Sequence, residues 1–287
     1  MGIAPRHAGL ERMPAGPSPG AAGRSLSTMC PTPAQAPPPV AADPGDAMTL
    51  TVLGCDGSWP GPNGAGSGYL LRVGDTVLVL DAGPGTFATL QTLCDPTDID
   101  AVVITHHHHD HWTDLFAIDT EARYGRRRRR APLPVYAPAR VAALAGSDAT
   151  TMLDWREITH GARAGIGELS CAFHRTDHAD ETLAVRIDGA GRALGYSADS
   201  GPGWSPDELG SGLDLLLCEA TYTAEDEGTA GHMSARQAGS AARAAEVRRL
   251  VLTHRWPTVE ADDVMQEAEA AFGGPVEQAT IGREFSL

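Results

Sequence analysis

Positions 105–111 read Thr-His-His-His-His-Asp-His, directly after the short apolar run Ala101–Thr105. Such a run, bounded by polar residues, reads as a buried strand, so the histidines sit on the loop leaving its end. A rigid scaffold presents ligand-binding groups on loops of this kind. On an extended segment alternate side chains face one way, so His106, His108 and Asp110 converge. His111 then enters the following turn and addresses a second ion beside the first. Imidazoles mixed with carboxylate suit zinc better than magnesium or calcium, which take oxygen shells. A solvated histidine run would have no reason to follow a buried strand with an aspartate in register. Four residues cannot fill two metal sites. Further ligands must come from downstream, and the remaining histidines are His7, His160, His174, His178, His232 and His254.

The rest of the chain must therefore fold back onto this loop. Strands are expected at Leu50–Gly54, Gly68–Val73, Thr76–Asp81, Leu133–Ala137, Leu169–His174, Leu183–Ile187, Ala193–Ser197, Leu213–Glu219 and Leu250–Thr253. Helices are expected at Gly85–Leu93, after the cluster on the spacing of Leu115, Ile118 and Ala122, at Ser234–Ala245 with Ser234 as N-cap, and at Val259–Phe272. Strands mixed with helices and no internal linker favour one α/β domain over 48–287. Residues 1–47 differ: ten of the chain's 21 prolines fall there. Such a leader cannot bury enough apolar surface to offset its ordering entropy and is expected to be disordered. No apolar run approaches the roughly 20 residues of a membrane helix. The net charge of −15 argues against broad binding to nucleic acid. Five scattered cysteines (Cys30, Cys55, Cys94, Cys171 and Cys218) form no C-x-x-C pair and suit a reducing cytoplasm.

T-H-x-H-x-D-H after a strand, then a histidine, then YSADS, then LTH, resembles the metallo-β-lactamase superfamily of binuclear hydrolases. LTVLGCDGSWPGPNGAGSGYLLRV, LVLDAGPG, LCEATY, GHMSARQAG and AEAAFGGPVEQAT resemble its ribonuclease Z-like branch, and within that the atypical class II cyclic-nucleotide phosphodiesterases. The resemblance implies an αββα sandwich, two mixed sheets flanked by helices. It implies two zinc ions, with manganese or iron(II) as alternatives. His106, His108 and His178 would hold the first ion, Asp110, His111 and His254 the second, and Asp199 would bridge both. His178 is preferred to His174 because HADETLAVRI resembles the family's histidine segment. Ala198 stands where the family usually has glycine, which demands a backbone conformation alanine can adopt.

The same resemblance makes His232 the acid that protonates the leaving group, with Asp110 orienting a metal-bridging hydroxide. Glu219 either orients His232 or serves as a helix-start or supporting residue. Asp81 is read as a partner for a metal-bound histidine, against a simple turn former. The glycine-rich stretch Gly54–Gly68 lacks the phosphate-loop pattern and is read as a mobile lip of the site. Arg126–Arg130 is either a solvated loop or a patch that steers phosphate or contacts RNA. Trp112 and Trp256 either stack a base or pack at the rim. The expected function is phosphodiester hydrolysis in a small or cyclic nucleotide, a small-molecule partner being favoured over RNA, with no membrane association and a homodimer admitted. The alternatives are a tRNA 3′-processing endonuclease, or a lactone, thioester or β-lactam hydrolase on the same centre. A long Gly/Pro-rich arm that would grip tRNA is absent after residue 48, and an aspartate at 199 in place of a cysteine ligand speaks against a lactamase.

Overall fold

Neighbouring side chains on the first strands go to different cores. On β1 (Thr49–Gly54) Leu50 and Val52 join one apolar cluster and Leu53 another; on β2 (Gly68–Val73) Tyr69 and Leu71 part from Leu70 in the same way. On β3 (Thr76–Ala82) Leu78 and Leu80 part from Val79. Strands covered on both faces read as continuous apolar runs, which is why these three were recognisable. The computed structural model describes residues 47–146, 149–178 and 181–287. The leader expected over 1–47, Ala47 apart, lies outside the described residues.

Along the chain follow α1 (Thr86–Leu93), β4 (Ala101–Val103), α2 (Leu115–Tyr124), β5 (Leu133–Ala137), α3 (Ala139–Ala145) and β6 (Leu153–Glu157). The second half holds β7 (Arg163–Ile166), β8 (Leu169–Arg175), β9 (Leu183–Gly189), β10 (Arg192–Tyr196), β11 (Leu215–Glu219), α4 (Ala235–Ala244), β12 (Leu250–Thr253), α5 (Ala261–Phe272), β13 (Glu277–Gln278) and β14 (Glu284–Ser286). One mixed sheet has the order β14-β1-β2-β3-β4-β5-β6 and the other β13-β12-β11-β10-β9-β8-β7. Their facing sides share a core that includes Val52, Leu80, Phe173, Val185, Leu215 and Val251. Each such side chain, fully buried, contributes about 1.5–3 kcal/mol, so this middle layer holds the sheets face to face. Leu90, Leu115, Ile118 and Val141 seat the first three helices on one outer face. Ala238, Ala242, Val264 and Ala268 seat α4 and α5 on the other. A Cβ at Gly239 would lie 2.6 Å from the Ala268 carbonyl oxygen, so only glycine permits the α4–α5 approach. The architecture is the expected αββα sandwich.

The differences from expectation lie at edges and ends. The helix expected from Val259 starts at Ala261, because Glu260 is still extended. The strand expected from Leu213 starts at Leu215, and the run Ala101–Thr105 is strand only to Val103. The outermost strands β6, β7, β13 and β14 and the seven-residue α3 were not anticipated. Strands β3, β4 and β5 are parallel, as are β10, β11 and β12, and their C-terminal ends carry the chemistry-bearing residues. Among the described residues no helix is long and apolar enough to cross a membrane.

Candidate metal centre

Beyond β4 the chain is extended at His108 (φ −67°, ψ 139°) and then closes into one 3-10 turn, His109–His111. That turn corrects the expectation from alternation, which placed Asp110 beside His106 and His108. Asp110 instead groups with His111 and His254, while His106, His108, His178 and Asp199 form the neighbouring group. Within each group the donor atoms lie within 4.8 Å of one another. Asp199 faces both. Its Oδ2 is 3.3 Å from His106 Nε2 and 3.9 Å from His178 Nε2, and its Oδ1 is 3.2 Å from His111 Nε2 and 3.3 Å from His254 Nε2. Asp110 Oδ2 lies 3.2 Å from His254 Nε2 and 3.5 Å from His111 Nε2.

In four of the five histidines the remaining ring nitrogen is held from behind. His111 Nδ1 donates to Asp81 Oδ2 at 2.8 Å, and His106 Nδ1 to Thr105 Oγ1 at 3.1 Å, whose hydroxyl reaches Asp81 Oδ2 at 3.0 Å. His178 Nδ1 donates to the Gly231 carbonyl at 2.9 Å. His254 Nδ1 donates to Thr221 Oγ1 at 3.0 Å, and that hydroxyl donates to Glu219 Oε2 at 2.7 Å. These contacts assign the tautomers and leave four Nε2 atoms facing the centre. Asp81, wholly buried, also accepts from the Thr105 amide and the Tyr196 hydroxyl, both at 2.8 Å. It is therefore a partner of His111 rather than a turn former alone, although its φ of +55° also makes the turn.

Burial pushes His106 and His108 down to about 4, so both are neutral with a free lone pair at neutral pH. Burial acts the same way on His111, but Asp199, Asp110 and Asp81 crowd it and raise it well above its usual value. Three buried carboxylates about one imidazole demand positive charge there. His106 Nε2, His111 Nε2 and Asp199 Oδ1 are buried without a hydrogen-bond partner among the described residues. An unsatisfied buried polar atom costs about 1–3 kcal/mol, a cost that a cation between these atoms removes. The donors fit a divalent metal that accepts nitrogen and oxygen together.

A family model described as the beta-lactamase superfamily domain matches residues 76–255, the stretch that carries most of this centre. The chain belongs to the beta-lactamase superfamily. An uncharacterised protein of Mycobacterium leprae is 37% identical over 253 residues, 84% of this chain and 89% of that one. The probable metallo-hydrolase YhfI of Bacillus subtilis is 31% identical across 82% of this chain and 98% of its own length. The crystal structure of that metallo-beta-lactamase fold protein matches with a TM-score of 0.77 at 29% identity, covering 84% of this chain and 100% of the other. A ribonuclease Z of Methanopyrus kandleri is 26% identical over 78% of this chain and 93% of its own.

Within this superfamily fold, Ala198 has a φ of +52° and His254 a φ of +55°, so two loops at the centre hold left-handed non-glycine residues. Alanine does adopt the conformation that the glycine-to-alanine change demanded. Gly83 shows the opposite limit: a Cβ there would lie 1.9 Å from the Asp110 carbonyl oxygen. His232 borders the centre, one of its ring nitrogens lying within 4.8 Å of donor atoms of Asp199 and His254. Its Nδ1 is 3.1 Å from Glu219 Oε1. Burial alone would lower this imidazole, but the Glu219 carboxylate outweighs it and holds the pKa up to about 9.

The stretch Gly54–Gly68 lines the rim, with the Ser58 amide donating to Asp110 Oδ2 at 2.8 Å. Trp256 is half-buried there, bonded through Nε1 to Ser58 Oγ and 6.0 Å from the exposed ring of Trp59. Trp59 escaped sequence reading, though a tryptophan inside a Gly/Pro-rich loop was a signal for it. Thr221, Tyr196 and Thr105 stood inside motifs that were read (LCEATY, YSADS and T-H-x-H-x-D-H) but were given no role there. Trp112 is buried with its indole N–H on the His107 carbonyl, so it packs and does not offer a face to a base. His174 is half-buried against His160, apart from both donor groups. Of the readings left open for Arg126–Arg130, a patch that steers phosphate into the centre does not fit its position. Arg129 bonds the Thr97 and Ile99 carbonyls ahead of β4, at the opposite strand end from the centre.

Proposed function

We propose that this metal-dependent hydrolase cleaves a phosphodiester bond in a small or cyclic nucleotide. Two zinc ions would be held by His106, His108 and His178 on one side and by Asp110, His111 and His254 on the other, with Asp199 shared. Manganese or iron(II) suits the same donors. Such ions, when bound, lower the pKa of a water and neutralise charge on phosphate oxygens. The carrying observation is the division of Asp199, one carboxylate oxygen toward each histidine group.

The protein's own side chains do the rest. Asp81, Thr105, Thr221 and the Gly231 carbonyl orient the rings. The Ser58 amide steadies Asp110, and Trp256 and Trp59 offer apolar surface to a base at the rim. His232, its Nδ1 proton on Glu219, carries the proton that the leaving sugar oxygen needs at Nε2. The need for such a donor favours phosphodiesters with poor leaving groups. The free thiols Cys55, Cys94, Cys171 and Cys218 support a cytoplasmic site of action. The ribonuclease Z relative supports a second reading, tRNA 3′-end cleavage. One panel tests both: zinc-loaded protein against bis(p-nitrophenyl) phosphate, cyclic AMP, precursor tRNA and a β-lactam. Turnover of the first two is expected. Cleavage of precursor tRNA with cyclic AMP untouched would move the assignment to the second reading, and turnover of the lactam alone would overturn both.

A further inference from the structure

The mechanism leaves unused a stripe of α2 and the five arginines after it. The buried side of α2 is Leu115, Ile118 and Ala122, which leaves Phe116, Thr120 and Tyr124 exposed along the opposite side at i, i+4, i+8. Phe116 is 38% and Tyr124 72% exposed. The stripe starts at the centre: exposed His109 stacks on Trp112 at 6.1 Å, and Trp112 meets Phe116 at 5.7 Å. It ends where the Arg123 guanidinium lies 5.9 Å from the Tyr124 ring centroid.

The arginines divide by alternation. Arg127 pairs with Asp95 at 3.1 Å and Asp98 at 3.3 Å, and Arg129 holds the Thr97 and Ile99 carbonyls at 3.1 and 2.8 Å. The intervening Arg126, Arg128 and Arg130 are exposed and make no ion pair among the described residues. Two arginines therefore anchor the loop and three are presented to solvent beside a concavity of about 450 Å³ lined by Thr97 and Arg127–Arg130. The net charge of −15 disfavours nucleic-acid contact spread over the whole body, whereas three unpaired guanidiniums on one loop attract a polyanion locally. The exposed rings of Phe116 and Tyr124, on the helix just before this loop, select for one that has flat faces.

We propose that this stripe and the arginine loop form a binding surface for single-stranded nucleic acid, its phosphates on Arg126, Arg128 and Arg130 and its bases on Tyr124 and Phe116. Stacking on rings with phosphates on a basic track is the way sequence-tolerant single-strand binding works. The surface is separate from the choice of substrate at the metal centre and holds whichever bond that centre cleaves.

The test is fluorescence anisotropy of a labelled RNA single strand of about 12 nucleotides. Three phosphate contacts predict a slope of about −2 for log affinity against log salt. The variant R126E/R128E/R130E is expected to weaken binding at least about tenfold and flatten that slope, while R126K/R128K/R130K keeps both. F116A/Y124A is expected to lose about tenfold with the slope unchanged. Absence of binding by the wild-type protein, or no effect of charge reversal, overturns the proposal. So does a duplex, inorganic polyphosphate or an acidic peptide that binds as tightly as the single strand while F116A/Y124A has no effect. The metal-ligand variant His106→Ala should bind the strand normally, and R126E/R128E/R130E should hydrolyse bis(p-nitrophenyl) phosphate normally. Failure of the hydrolase reading would thus show as wild-type protein that binds the strand but turns over no phosphodiester, and failure of this one as wild-type turnover without strand binding.

Discussion

Glu219 has no exposed surface, and its two oxygens take hydrogen bonds from four groups around the centre. They accept from His232 Nδ1 at 3.1 Å, Thr221 Oγ1 at 2.7 Å, the Met233 amide at 3.2 Å and the Ser200 amide. Through Thr221 it sets His254, and through Ser200 it borders Asp199. The two residues His232 and Glu219 should therefore fail differently. His232→Ala is expected to lower kcat on a cyclic nucleotide by about 100- to 10,000-fold, the range for a general acid. A p-nitrophenyl ester, whose leaving group needs no proton, should lose far less, and bound metal should not change. Equal losses on both substrates would make His232 a phosphate-binding residue; loss of zinc would put it among the ligands. Glu219→Gln should show the same leaving-group dependence and, in addition, weaken metal retention against a chelator by about 10- to 100-fold through Thr221 and His254. Among the ligands, His106→Ala should remove one ion and most turnover, whereas Asp199→Ala should remove both. Metal analysis of Asp199→Ala showing one ion firmly kept would sink the shared-carboxylate assignment.

At the scale of elements, α4 shows how a short motif places the proposed acid, His232. Ser234 Oγ accepts from the Gln237 amide at 3.1 Å and Gln237 Oε1 accepts from the Ser234 amide at 2.9 Å, a complete capping box two residues after His232. Ser234→Ala is expected to cost about 1 kcal/mol. In a chain of this size that is about 2–4 °C in Tm, measured by calorimetry, and kcat should fall more than KM rises. A Tm unchanged within error would show that the cap contributes nothing. Ser234 was legible as a cap because a hydroxyl stood before a helical pattern. The central strands were legible because both faces are covered and their ends carry motifs. β6 was not, since LDWRE is an outer strand with one buried residue, and β13 has only two residues. At the centre the histidines and aspartates now seen together were legible as a set, and the family resemblance placed Asp110 with His111 and His254, where alternation along the loop did not. That partition depends on a single 3-10 turn, and residue alternation carries no sign of where an extended loop will stop.

Over the whole molecule, the centre is a joint between two sheets. His106, His108, Asp110 and His111 follow β4 of one sheet, whereas His178, Asp199 and His254 follow β8, β10 and β12 of the other. Asp81, at the end of β3, reaches across to Tyr196 at the end of β10. Metal bound by donors from both sheets would fasten one to the other, as the apolar layer between them does from inside. Its removal also strands three carboxylates, Asp81, Asp110 and Asp199, buried about one imidazole. Chelation should therefore lower stability as well as turnover. An ion present at a hundredfold its Kd adds about 2.7 kcal/mol by mass action. For a chain of this size that corresponds to about 5–10 °C of Tm for each ion removed. The apoprotein should melt lower by that amount, recover on adding zinc, and show Tm rising with zinc concentration. His106→Ala, which keeps one group of donors, should show about half the shift. An apoprotein melting where the zinc-loaded protein does would mean that the donors do not join the sheets through bound metal, and the shared role of Asp199 would fall with it.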